Sequence, residues 1–216
     1  MFTEAEREAV YKVIFNRRDV RGQFTPDPIP EDVLSRILAA AHHAPSVGFM
    51  QPWDFIVVKN PEIKRKVKEA FEVANKEAAD MFSDERKGIY NSLKLEGITE
   101  APVGICITCD RERTGPAVIG RTANPEMDLY SSVCAVQNLW LAARVENLGV
   151  GWVSIIHHDS LRAALNIPSN ITPIAYLCVG YVSFFHDRPE LEKVGWLPRA
   201  DIATLTHYDH WKPDNR

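Results

Sequence analysis

The chain has 216 residues, 45% hydrophobic and 25% charged, enough apolar surface for a folded core, which excludes disorder as the main state. Lys and Arg number 25 against 29 for Asp and Glu, a formal net charge of -4, so no global basic field exists to hold a nucleic acid. An acidic N-terminus, the lack of any long apolar run and only four cysteines (Cys106, Cys109, Cys134, Cys178) lead us to expect a cytoplasmic protein with free thiols.

Thr3 and Glu6 have the spacing of a capping box, and Val10, Val13 and Ile14 recur at helical spacing, predicting a first helix that ends near Asn16. The charged run Arg17-Arg18-Asp19-Val20-Arg21 follows directly. Pro26, Pro28 and Pro30 punctuate a loop before the stripe Leu34, Ile37, Leu38 and Ala41 of a second helix, which Pro45 is expected to end. Residues 55–58 read as a short strand. Asn60-Pro61 then starts a helix whose inward face carries Ile63, Val67, Ala70 and Phe71, with Lys64, Arg65, Lys66 and Lys68 on the solvent side. Residues 76–100 mix charge (Lys76, Glu77, Asp80, Glu85, Arg86, Lys87, Lys94, Glu96) with isolated Met81, Phe82, Tyr90, Leu93 and Leu95, which reads as an amphipathic lid.

A second strand is expected over 103–108, and 128–146 is apolar on most sides, so that helix should be central and buried, with Gly149 as its C-terminal stop. Strands over 151–156 and 174–182 flank a short helix over 160–165. The stretch 184–216 holds Trp196, Tyr208 and Trp211 without clean periodicity, and is expected to wrap something such as a second subunit. With no internal repeat, the whole chain reads as one α+β domain, helices covering a small sheet.

Three guanidiniums within five residues, Arg17, Arg18 and Arg21, repel one another unless an anion or carboxylates sit among them. A bound phosphate and a solvated patch countered by Asp19 and Glu31 both meet that condition. The turn Ala44-Pro45-Ser46-Val47-Gly48-Phe49-Met50-Gln51-Pro52-Trp53 joins a helix to a strand, where backbone N–H groups and Ser46 suit a planar heterocycle. Ser154 falls in an apolar strand, and its hydroxyl needs a partner if buried, which nearby backbone supplies as readily as a ligand. Cys106 and Cys109 have C-x-x-C spacing, but in a strand with no helix N-terminus after it. His42-His43 and His157-His158 point apart and lack a carboxylate constellation, so no metal is expected. P-loop, nucleophile-elbow and dinucleotide patterns are missing.

In order, Arg17-Arg18-Asp19-Val20-Arg21, Ala44-Pro45-Ser46 with Gln51-Pro52-Trp53, and Leu148-Gly149-Val150-Gly151-Trp152 resemble the FMN-dependent nitroreductase superfamily over almost the whole chain. Further signatures are Ser92-Leu93-Lys94-Leu95-Glu96-Gly97-Ile98, and Gly120-Arg121-Thr122 through Asn124-Pro125 to Met127-Asp128-Leu129-Tyr130. With Asp19 in place of the usual Ser and Phe49 in place of a frequent Asn, they are similar to the branch that makes 5,6-dimethylbenzimidazole, the lower ligand of cobalamin, from reduced FMN and O2. Gly195-Trp196-Leu197-Pro198-Arg199 is similar to the family's tail arginine.

The resemblance implies a nitroreductase-like fold, a small central mixed sheet covered by helices, in a homodimer of domain-swapped type with FMN at the subunit interface. It implies that Arg17, Arg18 and Arg21, with Asp19 and Val20 in the same loop and Arg199 from the tail, hold the FMN phosphate and ribityl chain. Pro45, Ser46 and Met50 would line the isoalloxazine, and Met81, Leu93 and Leu95 would belong to the lid that shuts out nicotinamide. Asp19, kept ionised by the arginines, is the implied catalytic proton-transfer group, and Ser154 the implied catalytic hydrogen-bonding group. Reduced FMN is then substrate and O2 co-substrate, and a separate flavin reductase supplies the former. The rivals are an NAD(P)H-dependent nitroreductase or flavin reductase of the same fold, and a flavin-binding module without turnover.

Overall fold

In the computed structural model, which describes residues 1–211 (Asp84 and Glu85 by their backbone alone), the capping box at Thr3 is formed. Thr3 Oγ1 accepts the Glu6 N–H at 3.3 Å, and the Glu6 carboxylate accepts the Thr3 N–H at 2.7 Å. The helix so started, α1 (Glu4–Asn16), buries none of its residues, and Val10, Tyr11, Ile14 and Phe15 stand exposed. Its periodicity therefore marks an apolar face that the described residues of 1–185 leave exposed. The next helix, α2 (Glu31–His42), does bury its stripe, Val33, Leu34, Ile37 and Ala41.

Strand β1 (Trp53–Val58) leads to α3 (Pro61–Asp80), whose first N–H groups, those of Glu62 and Ile63, are accepted by the Asn60 side chain. Then come α4 (Asp84–Ser92), β2 (Val103–Asp110), the long α5 (Met127–Val145), β3 (Leu148–Val153), α6 (His158–Leu165) and β4 (Ile171–Tyr181). These belong to a first unit, Met1–Phe185. A second unit starts at His186 and holds the short α7 (Glu190–Lys193) and α8 (Ile202–Leu205); the last five residues of the expected wrapping tail, 212–216, lie outside the described residues.

The sheet runs β1-β2-β4-β3 with every neighbouring pair antiparallel. Its one parallel pairing among the described residues is an isolated bridge from Asp19 to Val150, on the outer edge of β3. One face packs against α2 and α5, where Ile37, Ile105, Leu139 and Leu177 are wholly buried, each contributing about 1.5–3 kcal/mol. The other face packs against α3 and α6 through Val67, Phe71, Leu161, Tyr176 and Cys178.

Several local expectations are corrected by long-range packing. The strand expected over 151–156 is β3, three residues earlier at each end, so Ser154 lies just past it and is exposed. The stop after α5 is Asn147, which takes the left-handed φ of 59°, and not Gly149. Gly149 and Gly151 instead sit inside β3, where the loop at 19–20 crosses it: a Cβ on Gly151 would stand 2.0 Å from the Val20 carbonyl oxygen, and one on Gly149 3.0 Å from Val20 Cγ2. Lys64 is buried rather than solvent-facing, because its ammonium reaches the Ala101 carbonyl at 2.7 Å while its stem is covered.

Candidate functional site

The arginine loop is fastened at both ends. Arg17 leaves α1 with its N–H still bonded to the Val13 carbonyl at 2.9 Å, and its guanidinium lies 4.6 Å from the centre of the Trp140 ring on α5. Arg18 Nη1 donates to the carbonyls of Phe15 and Arg17, both at 2.8 Å, and Trp140 Nε1 donates to the Arg18 carbonyl at 3.2 Å. The Val20 N–H then donates to the Val150 carbonyl at 3.0 Å, and Val20 itself is buried. The glycines of β3 permit that approach, which explains why a Gly-x-Gly pair accompanies a distant arginine cluster.

Asp19 joins these pieces. One carboxylate oxygen accepts Arg21 Nη2 at 2.7 Å, and the other accepts the Trp152 N–H at 3.1 Å. Burial pushes its carboxyl above the ordinary range, against the pull of Arg21, the Trp152 N–H and Arg17. Desolvation is thus the largest influence on Asp19, with Arg21 and Arg17 acting against it to favour the ionised form. Ser154 follows Trp152 by two residues, about 7 Å of extended chain, and its exposed hydroxyl bonds to none of the described residues. Asp19 thus sits on the outer edge of β3, and Ser154 follows its Trp152 partner by two residues in the chain.

The second predicted element is a 3-10 turn, Val47–Phe49. Ser46 Oγ accepts the Gln51 N–H at 3.0 Å, and Ser131 Oγ on α5 accepts the Val47 N–H at 3.0 Å. Gly48, Phe49 and Gln51 have φ of 52°, 54° and 47°, a left-handed conformation that costs on the order of 1–3 kcal/mol at each non-glycine position. Pro45 is exposed, Ser46 half-buried and Met50 only 2% exposed, while Phe49 projects into solvent at 81%. The arginine loop and this turn rest on α5 at Trp140 and Ser131, nine residues apart, which is about 14 Å along the helix and half a turn around it. A single chain holds them on different sides of α5.

The last part of the expected lid is anchored. Leu95 is half-buried against the α3 face of the core, and Glu96, 2% exposed, accepts Lys68 Nζ at 2.5 Å, Lys94 Nζ at 2.8 Å and the Ile98 N–H at 2.8 Å. Those bonds hold the Glu96 carboxyl below its ordinary range despite its burial. Gly97 lies against the arginine loop, where a Cβ would stand 2.5 Å from the Arg21 carbonyl oxygen. Met81 is exposed, and Arg199 is an exposed residue of the second unit. Cys106 and Cys109 face opposite sides of the sheet, Cys106 within the α3-side core and Cys109 toward Ser132 of α5; burial pushes the Cys106 thiol up to about 12. Among the described residues no group of three His, Cys, Asp or Glu suits a metal ion, and no helix is long and apolar enough to cross a membrane.

Residues 14–181 match the nitroreductase family. The chain belongs to the nitroreductase family. Within it, the chain is 40% identical over 199 residues to the 5,6-dimethylbenzimidazole synthase of Rhodospirillum rubrum, covering 92% of this chain and 94% of the relative. It is 37% identical over 195 residues to the synthase of that name from Rhodobacter capsulatus, covering 90% and 94%. Among solved structures, an oxidised iodotyrosine deiodinase bound to FMN and 3-iodo-L-tyrosine shares the fold at a TM-score of 0.74 and 21% identity, over 94% of this chain and 100% of that one. The nitroreductase-like α+β fold is thereby established.

Proposed function

We propose that this nitroreductase-family chain is a 5,6-dimethylbenzimidazole synthase that binds reduced FMN as substrate and consumes O2, supplying the lower ligand of cobalamin. The observation that carries this reading is the arginine loop: three guanidiniums and the Asp19 carboxylate leave an excess of two positive charges, fastened to β3 through the Trp152 N–H. That donor set fits a phosphate monoester. The similarity to two synthases over nine-tenths of their length supports the choice of reaction within the family.

Arg17, Arg18 and Arg21 hold the phosphate and ribityl chain in this reading. Pro45, Ser46 and Met50 bound the ring from the strained turn. Reduced FMN supplies both the electrons that reduce O2 and the ring that is fragmented. Asp19 moves a proton at the carboxylate facing Arg21, its raised pKa making it a better proton acceptor than an ordinary aspartate. Ser154 offers a hydroxyl that none of the described residues engages. Leu95 and the 76–100 segment cover the ring and exclude water and nicotinamide, and a separate flavin reductase provides the reduced flavin.

A homodimer completes the site. The two binding elements diverge around α5, so one ring bounded by both requires the turn of a second copy. Unburied Val10 and Ile14 on α1 line a groove of about 630 Å³ with Leu141 and Val145 of α5, apolar surface that a second subunit would bury. The decisive experiment incubates the purified protein with excess reduced FMN in air and follows 5,6-dimethylbenzimidazole by mass spectrometry. Its formation is expected; intact FMN as the only flavin product, or rapid NADH oxidation saturating at micromolar NADH, rejects the reading in favour of a binding module or a nitroreductase.

A further inference from the structure

The 16 residues that join β2 to α5 carry no regular structure, yet they are tied to the strained turn on several atoms. Arg113 Nη1 donates to the carbonyls of Gln51 at 2.8 Å and Trp53 at 2.9 Å, and its Nη2 pairs with Asp54 at 2.5 Å. Arg121 Nη1 donates to the Arg111 carbonyl at 2.6 Å, lies 3.4 Å from Asp128 Oδ2 and meets the Met50 thioether sulfur at 3.8 Å. Asp128, wholly buried in the first turn of α5, also takes Arg111 Nε at 3.2 Å and the Leu129 N–H at 2.7 Å. Packing closes the remaining space: a Cβ on Gly48 would stand 2.5 Å from Val118 Cγ1, and one on Gly120 3.2 Å from Val47 Cγ2.

Three left-handed residues among four consecutive ones persist only where the surroundings over-determine them. Here the surroundings are this loop on one side and Ser131 on the other. Arg121 is the inner link, with a side chain only 18% exposed, and it alone of the three loop arginines touches the side chain of the turn's buried residue, Met50. All three contacts converge on one terminal nitrogen, Nη1, whose N–H directions are fixed in the guanidinium plane; a lysine ammonium sits on a shorter stem and rotates freely, so it does not hold that orientation.

We infer that Arg121 is a positioning residue for the flavin chemistry: held by buried Asp128, it fixes Met50 and the strained 48–51 turn against which the isoalloxazine ring lies. The inference rests on the flavin reading above. Arg121 acts through Met50 and contacts no reacting atom. Its removal therefore leaves the phosphate loop intact, so ring placement and product partition change while overall affinity does not.

Two variants of the full chain test this. Arg121→Lys keeps a charge facing Asp128, and the double variant Arg121→Gln with Asp128→Asn removes both charges together, leaving no buried carboxylate unpaired. Amide exchange of Phe49, Met50 and Gln51 in the flavin-free protein, the visible absorption bands of titrated FMN, and dimethylbenzimidazole formed per reduced FMN are measured. Both variants are expected to exchange those amides at least about tenfold faster, bind FMN within about threefold of wild type, shift the bound-flavin bands, and lose product about tenfold with intact FMN recovered, since sub-ångström misplacement of a reacting ring is costly. Wild-type exchange, bands and yield in a folded Arg121→Lys protein overturn the inference while leaving the flavin reading standing. A wild-type protein that binds no FMN overturns that reading and the positioning role together, and shows it before any variant is compared.

Discussion

At Asp19 two demands fall on one carboxylate, since it must bridge the Arg21 guanidinium to the Trp152 N–H and, in the proposed reaction, accept a proton. Asn keeps an acceptor for Trp152, so Asp19→Asn is expected to bind FMN within a few-fold of wild type and yield little or no dimethylbenzimidazole. Asp19→Ala leaves the N–H and Arg21 unmet, costing about 1–3 kcal/mol, and should lose FMN affinity and product together; FMN titration beside product analysis separates the two variants. A carboxyl raised above its ordinary value contributes stability that is full below that value and lost as pH rises through the folded pKa. Wild type should accordingly lose stability relative to Asp19→Asn between pH 4 and pH 7, which denaturant melts at the two pH values measure. Gly151→Ala carries the same loop away by sterics: a Cβ 2.0 Å from the Val20 carbonyl oxygen must displace the backbone. A loss of about 1–3 kcal/mol in thermal melts is expected, accompanied by weakened FMN binding.

Among the elements, the arginine loop and the anchored end of the lid make opposite predictions about binding and stability. If the loop holds a phosphate by charge-assisted bonds of about 1.5–3 kcal/mol each, Arg17→Ala or Arg21→Ala should weaken FMN by about tenfold or more. Unchanged titrations in both variants would mean a solvated surface patch. Glu96 is a matter of stability first, because its buried carboxylate ties Lys68 of α3 and Lys94 to the Ile98 N–H. Its lowered pKa means stability present above the ordinary glutamate value and lost as pH falls through the folded pKa. Glu96→Gln is expected to cost about 2–4 kcal/mol at pH 7 and to flatten the acid limb of the melting curve, and an acid limb identical to wild type would remove that role.

For the whole molecule, the exposed face of α1 is the feature that the first unit leaves unsatisfied. Val10, Tyr11, Ile14 and Phe15 recur at helical spacing as a buried stripe would, and no part of the first unit covers them. A homodimer that buries this face predicts that Val10→Glu with Ile14→Glu shifts sedimentation from dimer to monomer, with FMN affinity falling by more than tenfold as the composite site is lost. A monodisperse monomer in the wild type that still binds FMN would place the whole site within one chain.

The sequence by itself determined what depends on neighbours in the chain. The Thr3 capping box, the Asn60-Pro61 helix start and the core stripe of α2 are written in spacings of three and four residues and formed, while α5 is buried along Ala135, Val136, Leu139 and Ala143 but leaves Tyr130, Val133 and Val145, expected inside, exposed. Its signatures in order also sufficed for the family. Tertiary structure alone decided why those signatures occur together. Asp19 bonds to a backbone N–H 133 residues away, the glycines of β3 exist for a loop that crosses them, and Arg121 and Asp128 lie in an irregular loop and a helix start whose only meaning is the turn they grip. Burial is the physical reason: it turned Lys64 inward onto a carbonyl and raised the Asp19 carboxyl against its arginines, and burial is a property of how distant segments close over a group, which no local pattern encodes.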